Sequence, residues 1–229
     1  MYRDGVSHFV CEVERATGGL VTKRLSEMFD HIYIDEIQDV VGYDLDFLDC
    51  LMDSSLALTV VGDPRQHTYS TNTSGKDKKY QGSGLLDWLA ERETKCVREQ
   101  RCESFRCNQR ICDFADALYP ELPATTSRNT DITGHDGVFT VPRSKVLDYV
   151  REHAPVVVLR HNKNSDTLGL SAINFGLSKG ATYDRVLIFP TGPMHKYLSS
   201  KNLSVVGSKD RLYVAVTRAR HSVAFVVPG

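Results

Sequence analysis

Ile32-Tyr33-Ile34-Asp35-Glu36-Ile37-Gln38-Asp39 is the stretch whose reading decides the fold. Ile32 and Ile34 alternate as a buried strand does, and charge begins abruptly at Asp35. Acidic residues at the end of an apolar strand suggest a site at the carboxyl edge of an α/β sheet. Two adjacent carboxylates there can divide the labour of nucleotide hydrolysis. Asp35 would hold Mg²⁺, which prefers a few carboxylates together with phosphate oxygens and water. Glu36 would orient or deprotonate the attacking water. A strand running into an acidic turn has the same composition, so the remainder of the chain must separate the two readings.

Downstream, Ala57 to Val61 reads as a second buried strand and ends in Gly62-Asp63-Pro64-Arg65-Gln66. Gly62 permits a tight turn and Pro64 stops the strand. Gln66 is then either an amide that touches a γ-phosphate or the attacking water, or a solvated turn residue. Between the strands, Leu45, Phe47, Leu48 and Leu51 fall at helical spacing over 43–52. Upstream, residues 1 to 28 read as helical and polar, broken at Gly18-Gly19, with Leu25, Met28 and Phe29 on one face of a helix over 22–29. Residues 70 to 84 read as a long loop carrying Lys76, Lys78 and Lys79 with Tyr69 and Tyr80. Such a loop either grips single-stranded nucleic acid by charge and stacking or is simply solvated. Gly75-Lys76 is no phosphate loop, because Ser70 and Asp77 stand where that motif needs Gly and Ser or Thr.

The second half alternates strands and helices. A short helix is expected over 85–89. A strand-like start over 96–119 leads into a helix with Ile111, Phe114, Ala115 and Leu118 on one face, and Arg98, Arg101, Arg106 and Arg110 stand before or early in it. A loop follows over 120–133. Strands are expected at 137–141, 156–160, 185–189 and 222–227, with helices over 144–152, capped by Ser144, and over 208–218. Residues 165 to 175 are ambiguous, and 190 to 208 read as loop. Strands separated by helices predict a doubly wound parallel sheet.

The 229 residues suffice for one large core or two smaller ones. Hydrophobic content of 41%, charged content of 25% and a net charge of −1 fit an ordinary globular protein, and any nucleic-acid site must be a local patch. No apolar run approaches a membrane span, and the N-terminus is not a signal peptide. The six cysteines, at 11, 50, 96, 102, 107 and 112, lack paired Cys-x-x-Cys spacing. Reduced thiols in the cytoplasm are therefore the expectation.

Five blocks in order resemble the UvrD/Rep group of superfamily 1 helicases. Ile34 to Asp39 resembles its Walker B box. Val61 to Tyr69 resembles its third motif, and Ser104-Phe105-Arg106-Cys107, with Ile111 and Ala115, its fourth. Ser178-Lys179-Gly180-Ala181-Thr182-Tyr183-Asp184 resembles its fifth, and Leu212 to Arg220 its sixth. The resemblance implies two RecA-like domains with parallel sheets, an incomplete first one over 1–95 and a complete second one over 96–229. ATP would bind between them and single-stranded DNA across their tops. It implies that Asp35 binds Mg²⁺, Glu36 is the general base, Gln66 senses the γ-phosphate, and Arg106 and Arg218 reach the triphosphate, where a guanidinium stabilises charge in the loose transition state. It places Phe105 against adenine, Gly180 and Thr182 at the nucleotide, and Tyr69, Asn174 and Lys179 at the nucleic acid.

The sequence also departs from that pattern. Thr182 stands where many relatives have a Glu that contacts the ribose, and Gly176 where a His is common. Nothing in residues 1 to 31 supplies Gly-x-x-x-x-Gly-Lys-Ser/Thr, so the phosphate cradle, its Lys and the hydroxyl ligand to Mg²⁺ are missing. The expectation is the C-terminal part of a 3′-to-5′ DNA helicase, inactive by itself and completed by a phosphate-loop segment in cis or in trans. The rival is a nucleic-acid-binding or regulatory protein that keeps the helicase shape without hydrolysis.

Overall fold

The computed structural model describes residues 5–72 and 75–229. The first four residues of the expected helical N-terminus, and Thr73 and Ser74 of the expected long loop, lie outside the described residues. The chain forms two compact units, residues 1–99 and 100–229.

In the first unit, α1 (Val6–Thr17) and α2 (Leu20–Met28) are separated by Gly18 and Gly19, at φ +65° and +100°. Both values lie in the left-handed region that glycine enters without steric cost. The Glu14 carboxylate accepts hydrogen bonds from the Val21 and Thr22 amides, placing a negative charge at the positive end of α2. β1 (His31–Ile34) pairs in parallel with β2 (Ala57–Val60), Ile34 opposite Val60, and α3 (Tyr43–Met52) is the crossover a parallel pair requires. Leu45, Leu48 and Leu51 of α3 are buried. Leu45 and Leu48 share a core with Ile37, Tyr80, Leu85 and Trp88, the last two from α4 (Leu85–Ala90).

The second unit opens with a short parallel pair, β3 (Glu103–Ser104) against β4 (Thr126–Ser127), flanking α5 (Gln109–Asp116). Then come β5 (Gly137–Pro142), α6 (Val146–Glu152), β6 (Val157–Arg160), β7 (Ala172–Asn174), β8 (Tyr183–Phe189), α7 (Gly192–Ser200), α8 (Lys209–Val216) and β9 (Ala219–Val227). Five of these strands form one parallel sheet in the order β5-β9-β8-β6-β7. Strand period two divides the core. Val186, Ile188, Val223 and Phe225 pack with Ile111, Leu118, Met194 and Leu212, while Leu187, Phe189, Ala224 and Val226 pack with Val146 and Tyr149 of α6. The inner strands read as unbroken apolar runs because both faces are covered.

Three expectations need correction. Residues 190 to 208 are not all loop, since α7 occupies 192–200. Gly192 and Pro193 read as breakers, but proline is tolerated in the first turn of a helix, and the Thr191 hydroxyl accepts from the Met194 amide at 3.4 Å. Ser144 does not cap α6. It lies inside a 3₁₀ turn, Arg143–Lys145, and α6 starts after it without a side-chain cap. The expected loop over 120–133 contains β4, too short to carry a periodic signal. Replacing Thr191 by Ala should destabilise the second unit by about 1 kcal/mol, the usual worth of a helix cap. Urea unfolding followed by circular dichroism measures this, and an unchanged midpoint would show that the hydroxyl does not hold the helix start.

Candidate functional site

In the first unit the candidate side chains follow the carboxyl ends of β1 and β2, and in the second they lie after β3 and just ahead of β8 and β9. In the first unit the β1 strand ends at Ile34, and Asp35 and Glu36 follow at once. Asp35 is exposed, and its Oδ1 accepts from the Glu36 amide at 2.7 Å. Glu36 adopts φ +56°, a left-handed conformation uncommon for a residue with a Cβ and typical of strained positions at functional sites. The chain then returns to the sheet, with the Ile37 amide donating to Val61 O at 3.0 Å.

Gln38 joins this loop to the next. Its side chain is almost fully buried, at 1% exposure. Its Nε2 donates to Glu36 Oε2, its Oε1 accepts from the Asp63 amide at 3.1 Å, and its backbone oxygen lies 2.7 Å from His67 Nδ1. Gly62 allows this approach, because a Cβ there would lie 2.3 Å from Gln38 Oε1. Asp63 receives Arg65 through its amide and guanidinium, and Gln66 Nε2 at 3.1 Å. Burial alone would raise the Asp63 pKa, but the Arg65 guanidinium and the Gln66 amide outweigh it and hold the carboxyl below its usual range. Asp35, Glu36 and Gln66 thus sit on two loops locked together through Gln38 and Asp63.

Two of the loop lysines are engaged locally. Lys76 Nζ is 2.6 Å from both Asp46 Oδ1 and Asp77 Oδ2, and Lys79 Nζ is 3.9 Å from Glu91 Oε1 and over the Tyr80 ring. Tyr69 is about half exposed, at 52%.

In the second unit three segments converge on Thr217. Arg106 NH1 donates to Thr217 O at 3.1 Å. Arg218 NH2 donates to Thr217 Oγ1 at 3.1 Å, its Nε to Val214 O at 3.0 Å, and its NH1 to Ala181 O at 3.5 Å. The Tyr183 amide donates to Arg218 O at 2.8 Å, tying the Gly180–Thr182 segment to the same corner. Gly180 is at φ +80° with open space around it, and Thr182 is exposed. Phe105, beside Arg106, is 76% exposed, which suits an aromatic platform for a base. Arg218 is 2% exposed and is held by its own chain. Asn174 ends β7, with Oδ1 accepting from Arg160 Nε at 3.1 Å, and Lys179 follows the 3₁₀ turn Phe175–Ser178.

Gln38, Thr217 and Asn108 are the residues that sequence reasoning passed over. Asn108 Oδ1 caps α5 by accepting from the Ile111 amide, while its Nδ2 donates to His221 O, docking the Phe105–Arg106 loop on β9. A polar residue followed by an amphipathic helix signals the cap, but nothing local signals the bond to residue 221. Among the described residues no three His, Cys, Asp or Glu side chains could hold a metal together. Asp35 offers a single exposed carboxylate, the kind of ligand that Mg²⁺ takes together with phosphate oxygens and water. No described helix is long and apolar enough to cross a membrane.

The family model for the viral superfamily 1 RNA helicase core domain matches residues 7–227. Among solved structures, the PRRSV helicase is similar at 23% identity and a TM-score of 0.52, over 86% of this chain and 35% of that one. Arterivirus nonstructural protein 10, a helicase solved in complex with DNA, is similar at 17% identity and the same TM-score, over 86% of this chain and 39% of that one. No curated protein matches. At these identities the structural likeness shows the fold alone, an α/β architecture with a parallel sheet that matches helicase RecA-like domains. The chain spans little more than a third of the length of either solved helicase.

Proposed function

Because the chain belongs to the viral superfamily 1 RNA helicase core domain family, we propose that it is part of an ATP-driven motor that moves along single-stranded nucleic acid. The observation that carries this reading is the pairing of two preset charge sets. An acidic pair, Asp35 and Glu36, is oriented through Gln38 in the first unit, and two guanidiniums, Arg106 and Arg218, are gathered at Thr217 in the second. A pure binding module has no chemical need for both sets.

In this reading Asp35 would help to hold Mg²⁺, which would neutralise phosphate charge when bound. Glu36 accepts the proton of the attacking water, and Gln66 contacts the γ-phosphate. Arg106 and Arg218 stabilise the charge that develops on the phosphate oxygens, and Phe105 stacks on the base of the nucleotide. In this reading hydrolysis requires the acidic pair and the guanidiniums together, and that requirement is how turnover becomes movement. Tyr69, Asn174 and Lys179 contact the strand. The likeness to the UvrD/Rep group favours single-stranded DNA and 3′-to-5′ movement, whereas the family description names RNA helicases.

These 229 residues contain no Gly-x-x-x-x-Gly-Lys-Ser/Thr. By themselves they should therefore not turn over ATP appreciably, and a phosphate-loop segment in cis or in trans would complete the site. The test is ATP turnover by the purified chain, alone and with single-stranded DNA or RNA, beside a Glu36→Gln control. No turnover is expected from either protein. Strand-stimulated turnover that disappears in Glu36→Gln would show a working site without that loop and refute the dependence. The near-complete burial of Arg218 favours the rival, non-hydrolysing reading. That reading wins if strand binding persists but supplying the phosphate-loop polypeptide restores no turnover.

A further inference from the structure

Two cysteines at the start of α5 occupy positions that bring their side chains together. Asn108 caps the helix, so Cys107 immediately precedes the cap and Cys112 is the fourth helical residue. Side chains at these two positions meet across the first helical turn, where two apolar groups ordinarily staple the entry of the chain. Here both are thiols. Each is 3% exposed, and both belong to the core of the second unit. Cys112 Sγ lies 3.7 Å from Cys107 O, which places it against the residue that carries the other thiol. Cys107 Sγ lies 3.5 Å from Thr217 O, the oxygen that also accepts from Arg106.

We propose that Cys107 and Cys112 form a reversible oxidation site, which hydrogen peroxide closes into a disulfide that draws Cys107 away from Thr217 and resets the neighbouring Arg106. The two thiols are unequal in the way such chemistry needs. The hydrogen bond from Cys112 holds the Cys107 thiol below its usual range, helped by Ser104 and by the Arg106 and Arg218 guanidiniums, against a burial that would raise it. The same bond and burial push Cys112 upward. Cys107 is the thiol we assign to the attack on peroxide. It bonds to one peroxide oxygen, the O–O bond breaks, and the departing hydroxide takes a proton to leave as water. The Cys112 sulfur then attacks the Cys107 sulfenic acid, the S–S bond forms, the S–O bond breaks, and a second water leaves. Two thiols are oxidised and one peroxide is reduced. Cys11 and Cys50 also adjoin each other, but burial first and Cys50 next push Cys11 up to about 12, the opposite direction from Cys107. The oxidation site stands independently of the proposed motor function. Only the consequence for Arg106 rests on that reading.

The test uses the whole chain, treated with hydrogen peroxide while folded, alkylated, and cleaved with trypsin without reduction. Trypsin cuts after Arg106, Arg110 and Arg128, so a disulfide must link peptide 107–110 to peptide 111–128. The expected product is that linked pair, two hydrogen masses below the sum of its parts. It should be lost on reduction and absent from Cys107→Ser. In Cys112→Ser, which keeps a hydroxyl donor at that position but no resolving thiol, Cys107 should stop as a sulfenic acid that a cyclic 1,3-diketone traps. Recovery of both cysteines as alkylated thiols while Cys96 or Cys102 oxidises would overturn the proposal, as would a link that forms only in denaturant. Hydrogen exchange tests the second half. The Cys107 and Asn108 amides, which donate to Ser104 Oγ and Arg220 O, should exchange faster once oxidised. Unchanged exchange would overturn the resetting of Arg106.

Discussion

Replacing Arg218 by alanine lowers the stability of the second unit by about 3 kcal/mol, the cost expected for emptying a buried, hydrogen-bonded guanidinium site. Arg218 is among the largest fully buried side chains of the chain, and three of its nitrogens donate to oxygens of Val214, Ala181 and Thr217. Alanine leaves a cavity and takes those donors from acceptors that burial shields from water. Arg218→Lys keeps the charge but replaces a planar fork with a point ammonium, which cannot reach three separated acceptors, so it should recover less than half of the loss. The measurement is urea unfolding followed by far-ultraviolet circular dichroism. The single tryptophan, Trp88, lies in the first unit, so its fluorescence does not report on this site. A change below about 0.5 kcal/mol, the range of ordinary surface substitutions, would show that the guanidinium is not part of the core.

Local patterns revealed what local forces decide. β8 and β9 were legible because strands covered on both faces must be continuously apolar, and α3 because one helical face must be. Helix α7 was not legible, since Pro193 and Gly192 signal an ending as readily as a first turn, and only the Thr191 cap separates the two. The candidate site divides in the same way. Asp35, Glu36, Arg106 and Arg218 stood out within blocks of recognisable order. Gln38 and Thr217, which hold those blocks together, act through partners 25 and 111 residues away. The sequence left Lys76 open between a strand-gripping cation and a solvated loop residue, with no sign that Asp46, 30 residues upstream, lies beside it. Long-range hydrogen bonds leave no periodic trace, so the residues that orient a site are harder to read than those that would perform its chemistry.

Gly62→Ala should cost the first unit about 1–3 kcal/mol, as overpacking a well-filled site does. The added methyl would lie 2.3 Å from Gln38 Oε1, 2.8 Å from Ile37 Cγ2 and 3.0 Å from Ile37 N. It must displace the buried amide, or the backbone that carries the Ile37-to-Val61 ladder bond. Displacing the amide is the easier route, and it breaks the bonds to Glu36 and to the Asp63 amide together. A double-mutant cycle isolates that route. Gln38→Ala alone should cost about 1–2 kcal/mol, because it leaves the Asp63 amide without its acceptor. In that background the methyl at position 62 no longer meets the amide oxygen, and only the Ile37 contacts resist it. The double variant should therefore be more stable than the summed single costs allow, by about 1 kcal/mol, well beyond the scatter of independent sites. Trp88 fluorescence during urea unfolding reads each corner, since Trp88 shares its core with Ile37. Additive costs within about 0.5 kcal/mol would mean that Gly62 is small for the sake of Ile37 alone, and Gln38 would lose its place as the link that ties Glu36 to the loop bearing Gln66.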